Sequence, residues 1–194
     1  PALNYTITHM CAGYLGVEPM LVGAGIKTGH NLRVDDAREV GADRIVNDVA
    51  AIRKYGAPLI VIDFGTATTF NAINEKGEFI GGAVAPGMRG SLDSLVSGTA
   101  KLPRVEIETP KSVIGKNTTT NLQAGLVFGF AGLVDYIVKK TKREMKLPDI
   151  QVVATGGFSG IIAKEVGCID HVDKLLTLQG LKYLYDLNCS EGKK

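Results

Sequence analysis

Apolar residues recur at helical spacing along much of the chain, and this spacing predicts its helices. A cap at Asp35 or Asp36 and a stop at Gly56-Ala57-Pro58 bound a helix that runs to about Tyr55. The other predicted helices cover residues 3–16, 88–96, 118–142, 159–166 and 177–187. The long helix at 118–142 carries the most sustained apolar face, so we expect it to pack along a core.

Shorter apolar or alternating runs predict the strands. They cover residues 20–22, 59–63, 67–74, 78–84, 105–107 and 150–154, with a hairpin turn at 74–77. The order from residue 59 onward resembles the α/β ribonuclease H-like domain shared by actin, the sugar kinases and the heat-shock ATPase chaperones. We expect residues 1–57 to be a remnant of a first such domain and residues 58–175 to be the second. Residues 176–194 then form a C-terminal helix that packs back on the first.

Composition narrows the function. Hydrophobic residues make up 45% and charged residues 22%, as in ordinary globular proteins. A net charge of +2 argues against a nucleic-acid partner, and no run of eighteen apolar residues predicts a membrane span. The three cysteines show no metal-ligand spacing, and with no signal peptide at the start they favour a cytoplasmic protein with reduced thiols.

The first chemical motif is Asp63-Phe64-Gly65-Thr66-Ala67-Thr68-Thr69, in which an apolar strand delivers an acid, a glycine and three hydroxyls into a hairpin. Phosphate groups need amides that they can approach closely and short hydroxyl donors, and this segment supplies both. The acid could hold a cation that neutralises the phosphates. A β-hairpin rich in β-branched residues explains the same sequence equally well.

The second motif is Gly41-Ala42-Asp43-Arg44. In phosphoryl transfer an aspartate can deprotonate the attacking hydroxyl while an arginine holds anionic oxygens. The alternative is a solvated first turn of a helix, where an aspartate is favoured by the helix dipole. The local sequence by itself favours that alternative.

Three further glycine-containing segments lie at residues 81–87, 115–120 and 155–157. Each suits a ligand close to the backbone. Each also has a plain structural interpretation: a tight strand-to-helix corner, N-capping by Asn117 or a threonine, and an ordinary βα turn. The histidines have no ligand spacing, and we interpret His30 as structural or exposed rather than catalytic.

These segments occur in an order that closely resembles the type III pantothenate kinases. The eight blocks that carry the resemblance lie at residues 25–29, 40–44, 62–70, 81–87, 99–103, 115–118, 154–157 and 176–181. The resemblance implies two ribonuclease H-like domains of the acetate and sugar kinase, heat-shock chaperone and actin superfamily. It also implies transfer of phosphate from ATP to pantothenate, the first step towards coenzyme A, by a homodimer that needs potassium or ammonium.

The resemblance also implies roles for individual residues. Asp43 is expected to be the general base, with Gly41, Ala42 and Arg44 on the substrate side. Thr118 is expected to reach pantothenate across the dimer, and Asp63 to bind the monovalent cation. The residues expected at the nucleotide are Thr66, Thr68, Thr69, Gly156 and Gly157.

Two departures from the family pattern matter. Asp36-Ala37 replaces the usual Asn-Pro before the second motif. The family's opening Asp-x-Gly-Asn-Thr segment, which holds ATP phosphates and Mg²⁺, does not occur in the 194 residues, and Pro1 matches a proline well inside the family's first domain. We therefore expect little or no kinase activity from this polypeptide alone, because phosphoryl transfer depends on positioning and charge neutralisation.

Two rival functions remain at this stage. One is a non-catalytic regulator on the same scaffold, for which the missing motif would be no loss. Intact Asp43, Arg44 and Asp63 argue against long decay of the site. The other is a different small-alcohol or acetate kinase of the superfamily, which the Gly-Ala-Asp-Arg segment disfavours.

Overall fold

The computed structural model describes residues 2–23, 25–99 and 101–189, so Pro1 and the end of the expected C-terminal segment lie outside the described residues. The helices are α1 (Ala2–Met10), α2 (Ala42–Tyr55), α3 (Met88–Ser97), α4 (Thr118–Met145), α5 (Ser159–Ile162) and α6 (Leu176–Cys189). A π-helical turn (Cys11–Leu15) continues α1, and a 3₁₀ turn (Ala37–Glu39) precedes α2. The strands are β1 (Leu59–Phe64), β2 (Ala67–Ile73), β3 (Phe79–Pro86), β4 (Gln151–Gly156) and β5 (His171–Val172).

The five strands form one mixed sheet in the order β3-β2-β1-β4-β5. β1, β2 and β3 are consecutive and antiparallel, whereas β1, β4 and β5 run parallel. β1 is therefore the central strand, and its residues are almost wholly buried. Its carboxyl end lies beside that of β4, the position in open α/β sheets where ligands usually bind.

The helices cover the sheet on both sides. Alternate residues of β1, such as Ile60 and Ile62, pack in a large apolar core with α3 and α4. The residues that alternate with them, Leu59 and Val61, share a smaller core with α2 and α6. α6 lies directly on α2, because a Cβ at Gly180 would stand only 2.2 Å from the Val46 carbonyl oxygen.

The α2–α6 contact also bears on the expected division into domains. α2 lies within residues 1–57, and the contact is what we expect of a C-terminal helix that packs back on that segment. α2 also shares its core with β1, so residues 1–57 are not separated from the sheet. The division into one domain that ends near residue 57 and a second that begins at residue 58 stays a prediction.

Several predicted elements differ from the observed ones. Residues 20–22 and 105–107 form no strand, although Val105 and Ile107 are buried in the large core. The helix expected from residue 36 is interrupted, because Asp36 caps the 3₁₀ turn through the Arg38 amide and α2 begins only after Gly41. The helix expected at 159–166 ends at Ile162, and β5 was not predicted because two residues carry no detectable alternation.

α4 is long and apolar enough, by length and composition, to cross a membrane. Val127, Val134 and Val138 on this helix are nevertheless almost fully buried against the sheet. This is the packing of a core helix, as its predicted apolar face requires.

Candidate active site

Asp63 lies at the carboxyl end of β1, on the face covered by α2 and α6. In the sheet register Asp63 is paired with Thr69 of β2 on one side and with Thr155 of β4 on the other. Its Oδ2 accepts a hydrogen bond from Asn47 Nδ2 of α2 at 3.0 Å. Burial raises the pKa of Asp63, the Asn47 bond opposes the rise, and the charge of Asp43 adds to it. Asp43 and Asp63 therefore belong to one electrostatic site.

The last residue of β4, Gly156, keeps the second oxygen of Asp63 open. Gly156 has a φ of 89°, which favours glycine. A Cβ there would lie 2.6 Å from Asp63 Oδ1 and 2.6 Å from the Phe64 carbonyl oxygen. Gly157 follows in an exposed position. A side chain at Gly156 would thus collide with the carboxylate, so this glycine leaves space beside Asp63.

Asp43 and Arg44 lie in the first turn of α2. Gly41 is the N-cap residue, Ala42 is the first helical residue, and the Asp43 side chain is exposed. A Cβ at Gly41 would lie 2.4 Å from Asp43 Oδ1, so the carboxylate bends back over the start of the helix. Asp43 is accessible to a substrate and lies close enough to act on both Arg44 and Asp63.

Arg44 is half-buried and firmly held. Its Nε donates to Asn71 Oδ1 at 2.7 Å, and Nη2 donates to the Phe70 carbonyl at 3.3 Å. The guanidinium carbon lies 5.0 Å from the centre of the Phe79 ring, a cation–π contact. Burial lowers the pKa of Arg44, while Asp48 and Asp43 oppose the decrease.

Arg44 borders a cleft of about 280 Å³, and its lining residues are Val34, Asp35, Asp36, Glu39, Val40, Arg44, Phe79, Gly81 and Gly82. A Cβ at Gly82 would lie 3.0 Å from Arg44 Nη2 and would overlap the Phe70 carbonyl oxygen. Glycine at this position therefore lets the guanidinium lie against the hairpin. This explains part of the 81–87 segment by close approach within the protein.

The three threonines of the first motif have different environments. Thr66 is exposed, and Thr69 is half-buried beside Asp63. Thr68 is fully buried on the opposite face of the sheet, and its hydroxyl donates to the Pro86 carbonyl at 3.1 Å. Thr66 and Thr69 are therefore placed for a ligand, whereas Thr68 braces the hairpin. The nucleotide role of all three stays a prediction.

Thr118 is the first residue of α4 and is exposed. Asn117 and Thr120 form a capping box there, so the N-capping interpretation of this segment is confirmed. Among the described residues, no hydrogen bond or ion pair joins Thr118 to Asp43, Arg44 or Asp63. A role for Thr118 in a partner's site stays a prediction.

The oxygen atoms around Asp63 suit a singly charged cation better than a metal ion that needs several carboxylate ligands. Within residues 2–23, 25–99 and 101–189, no group of three His, Cys, Asp or Glu side chains could hold a metal ion. Asp63 Oδ1 accepts no hydrogen bond from any described residue, and the register partners of Asp63 on the two adjacent strands are Thr69 and Thr155. One carboxylate oxygen with neutral oxygens nearby fits potassium or ammonium. The Asp-x-Gly-Asn-Thr segment expected to serve Mg²⁺ is not in this sequence.

Sequence reasoning missed several residues that shape the site. Asn47 also accepts a hydrogen bond from Thr177 Oγ1 of α6 at 2.7 Å, so α6 helps to fix Asp63. Asn47 and Asp48 are polar residues on the buried side of α2, and this mismatch with the helical pattern was the available signal. The structural interpretation of His30 is confirmed, because its ring is buried and bonded to Asp48 and Gly77.

Comparison with known proteins identifies the family of the chain. The profile of the type III pantothenate kinase family matches residues 1–140. A type III pantothenate kinase of Moorella thermoacetica is 52% identical over 188 residues, covering 97% of this chain and 74% of the relative.

Two solved structures are also similar to the chain. A conserved Campylobacter jejuni protein, described as a Baf family transcriptional activator, superposes with a TM-score of 0.56 at 21% identity, covering 79% of this chain and 67% of its own. The activator of 2-hydroxyisocaproyl-CoA dehydratase from Clostridium difficile, with bound ADPNP, gives a TM-score of 0.40 at 14% identity over 83% and 72% of the chains.

The fold and the site define a class: an α/β protein with the ribonuclease H-like fold of the acetate and sugar kinase, heat-shock chaperone and actin superfamily. The matched profile and the identity to the Moorella protein then identify the family. The chain belongs to the type III pantothenate kinases, which are ATP-dependent kinases.

Proposed function

We propose that the protein transfers a phosphoryl group from ATP to pantothenate, giving 4′-phosphopantothenate, the first step of coenzyme A biosynthesis. The observation that carries this proposal is the placement of Asp43 in the first turn of α2, where its charge acts on both the neighbouring Arg44 and Asp63 near the end of β1. An exposed acid, a fixed guanidinium and a strand-end carboxylate suit a small anionic alcohol next to a nucleotide. Family membership supplies the substrate identity.

The chemistry follows from the positions of the side chains. Asp43 accepts the proton of the substrate hydroxyl while the oxygen of that hydroxyl bonds to the γ-phosphorus of ATP. The bond from that phosphorus to the bridging oxygen of ADP breaks at the same time. Arg44, whose Nε and Nη2 are held by the hairpin, offers its remaining N–H groups to substrate oxygens. Exposure of Asp43 allows the hydroxyl to reach it without rearrangement of α2.

The remaining assignments belong to the same proposal. Thr66, Thr69, Gly156 and Gly157 bind the nucleotide, with Thr68 behind them in the hairpin. Asp63 binds potassium or ammonium, which offsets phosphate charge, while Mg²⁺ accompanies ATP. Gly41 and Ala42 shape the substrate side, and Thr118 completes the site of a partner subunit in a cytoplasmic homodimer.

The test is a coupled ADP-release assay on the full-length protein, with and without pantothenate and with potassium exchanged for sodium. We expect ADP release that requires pantothenate and is stimulated by potassium, with 4′-phosphopantothenate identified by mass spectrometry. Pantothenate binding without any phosphorylated product would instead support the regulatory alternative. Turnover only with another small alcohol or with acetate would support a different kinase of the superfamily.

A further inference from the structure

A buried polar chain runs behind Arg44, away from the cleft. Asn71 of β2, which accepts from Arg44, donates its Nδ2 to Asp48 Oδ1 at 2.6 Å. Asp48 Oδ2 lies 3.3 Å from His30 Nε2, and His30 Nδ1 lies 3.1 Å from the Gly77 carbonyl oxygen. The side chains of His30 and Asp48 are 1% and 0% exposed. The chain therefore starts at a main-chain oxygen and ends at the guanidinium.

Each hydrogen bond in this series has a defined donor and a defined acceptor. The Gly77 carbonyl can only accept, so His30 Nδ1 carries a hydrogen. A further proton must lie between His30 Nε2 and Asp48 Oδ2, because two lone pairs would otherwise face each other. Asp48 Oδ1 is then an acceptor, which turns the amide of Asn71 so that its oxygen faces Arg44 Nε. A flipped amide would place two donors against each other at Arg44.

The buried His30–Asp48 pair contributes little to stability for the free energy that its burial costs. Burial raises the pKa of Asp48, against the lowering influence of its bonds to His30 and Asn71 and of the charge of Arg44. Apolar residues of similar volume often stabilise a protein as well as a buried ion pair does. A core that needed only stability would therefore be satisfied by apolar residues here.

We propose that His30, Asp48 and Asn71 are positioning residues that orient the guanidinium of Arg44 towards the cleft and thereby set the affinity for the anionic substrate. This proposal rests on the proposed function, because it takes Arg44 to bind that substrate. None of these three side chains forms a hydrogen bond with Asp43 or Asp63. Loss of the polar chain should therefore affect substrate binding more than the transfer step.

The test compares Asp48→Ala with Asp48→Asn in the full-length protein. Asn can accept from Asn71 through its oxygen and donate to His30 Nε2 through its amide, so it preserves the chain without the charge. We expect Asp48→Ala to raise the KM for pantothenate about tenfold, equal to about 1.4 kcal/mol, with kcat and the KM for ATP within about twofold. Asp48→Asn should restore the KM to near the wild-type value.

The matched control is Asp173→Ala, at a residue that follows β5 and contacts the C-terminal end of α2. Asp173 is also a buried carboxylate, bonded to Lys54 and Tyr55 rather than to Arg44. We expect this variant to lose stability but to keep the KM for pantothenate. An unchanged KM in folded Asp48→Ala, or equal increases in both aspartate-to-alanine variants, would overturn the positioning role.

A second measurement does not depend on turnover. In protein labelled with ¹⁵N-arginine, the Arg44 Nε–H should exchange slowly with water in the wild type and in Asp48→Asn. It should exchange much faster in Asn71→Val, which leaves the His30–Asp48 pair intact, and in Asp48→Ala if that variant folds. Fast exchange in the wild type would overturn the proposal. A wild-type protein without pantothenate turnover but with slow exchange would contradict only the proposed function.

Discussion

The two faces of the sheet differ in how they are buried. The face under α3 and α4 is a continuous apolar core in which Thr68 and Ser159 are the buried polar side chains among the described residues. The face under α2 and α6 holds the others: His30, Asn47, Asp48, Asn71, Thr155 and Asp173. Among the described residues, the first face is packed by apolar side chains alone apart from Thr68 and Ser159, whereas the second face also carries a hydrogen-bonded set of buried polar side chains. The same central strand serves both through its alternation.

The largest expected effect comes from Asp43→Asn, on the polar face. The amide cannot accept the substrate proton, so kcat should fall by about 10²–10⁴-fold. The side chain is exposed, so the melting temperature should stay close to that of the wild type. Steady-state kinetics and a thermal melt of the same preparation check both expectations. Wild-type rates would refute the role of Asp43 as base.

A substitution on the apolar face should instead lower the stability of the protein and leave its kinetics nearly unchanged. Ile60 is fully buried in the core with α4, and Ile60→Ala should lower the free energy of unfolding by about 2–5 kcal/mol. The KM for pantothenate should change little in the protein that remains folded. Urea unfolding measures the first quantity and an assay well below the melting temperature the second. A large KM change with little destabilisation would break the distinction between the faces.

A smaller effect is expected from Thr177→Val in α6. The variant keeps the shape of the side chain but removes the hydrogen bond to Asn47 Oδ1, which is worth about 0.5–1.5 kcal/mol. Asn47 then holds Asp63 less firmly, so half-maximal activation should need about 2–10-fold more potassium. A potassium titration at saturating ATP measures this. The neighbouring exposed Leu178→Ala is the control and should leave the titration unchanged.

The smallest effect concerns the pH dependence of stability through Asp63. Its pKa is raised in the folded protein, chiefly by burial, so its contribution to stability is complete at low pH. That contribution is lost as the pH rises through the folded-state pKa. Asp63→Asn resembles the protonated form.

Without potassium, Asp63→Asn should therefore melt a few degrees above the wild type at pH 7 and close to it below about pH 4. Thermal melts across this range check the trend. Potassium should stabilise the wild type and not the variant. A variant that is less stable than the wild type at pH 7 and equal to it at low pH would contradict the raised pKa.

The sequence predicted the parts of this fold that have long, regular patterns. The α4 face, β1 and the β2–β3 hairpin could be read because their apolar residues repeat over many positions. Residues 105–107 were misassigned because burial of Val105 and Ile107 in an irregular segment gives the same apolar signal as a short strand. Periodicity reports burial, and hydrogen bonding to a neighbouring strand leaves no separate trace.

The candidate site was predicted only in part. Asp43, Arg44 and Asp63 stood in recognisable segments, and in the structure Asp43 lies close enough for its charge to act on both of the others. Asn47, Asn71 and His30 could not be assigned because the hydrogen-bond partners of their side chains are 16 to 130 positions away in sequence. Only the folded sheet with α2 and α6 places these pairs within hydrogen-bond distance.

The bond between Thr177 and Asn47 has a consequence for synthesis of the protein. The two residues are 130 positions apart, and α6 is the last helix that the structure describes. Chains emerge from the ribosome from their amino-terminal end, so Asp43, Arg44 and Asp63 are all translated long before Thr177. A nascent chain can therefore pair β1, β2 and β3 early, whereas β4, β5 and the α6 support for Asp63 are added only near the end of synthesis.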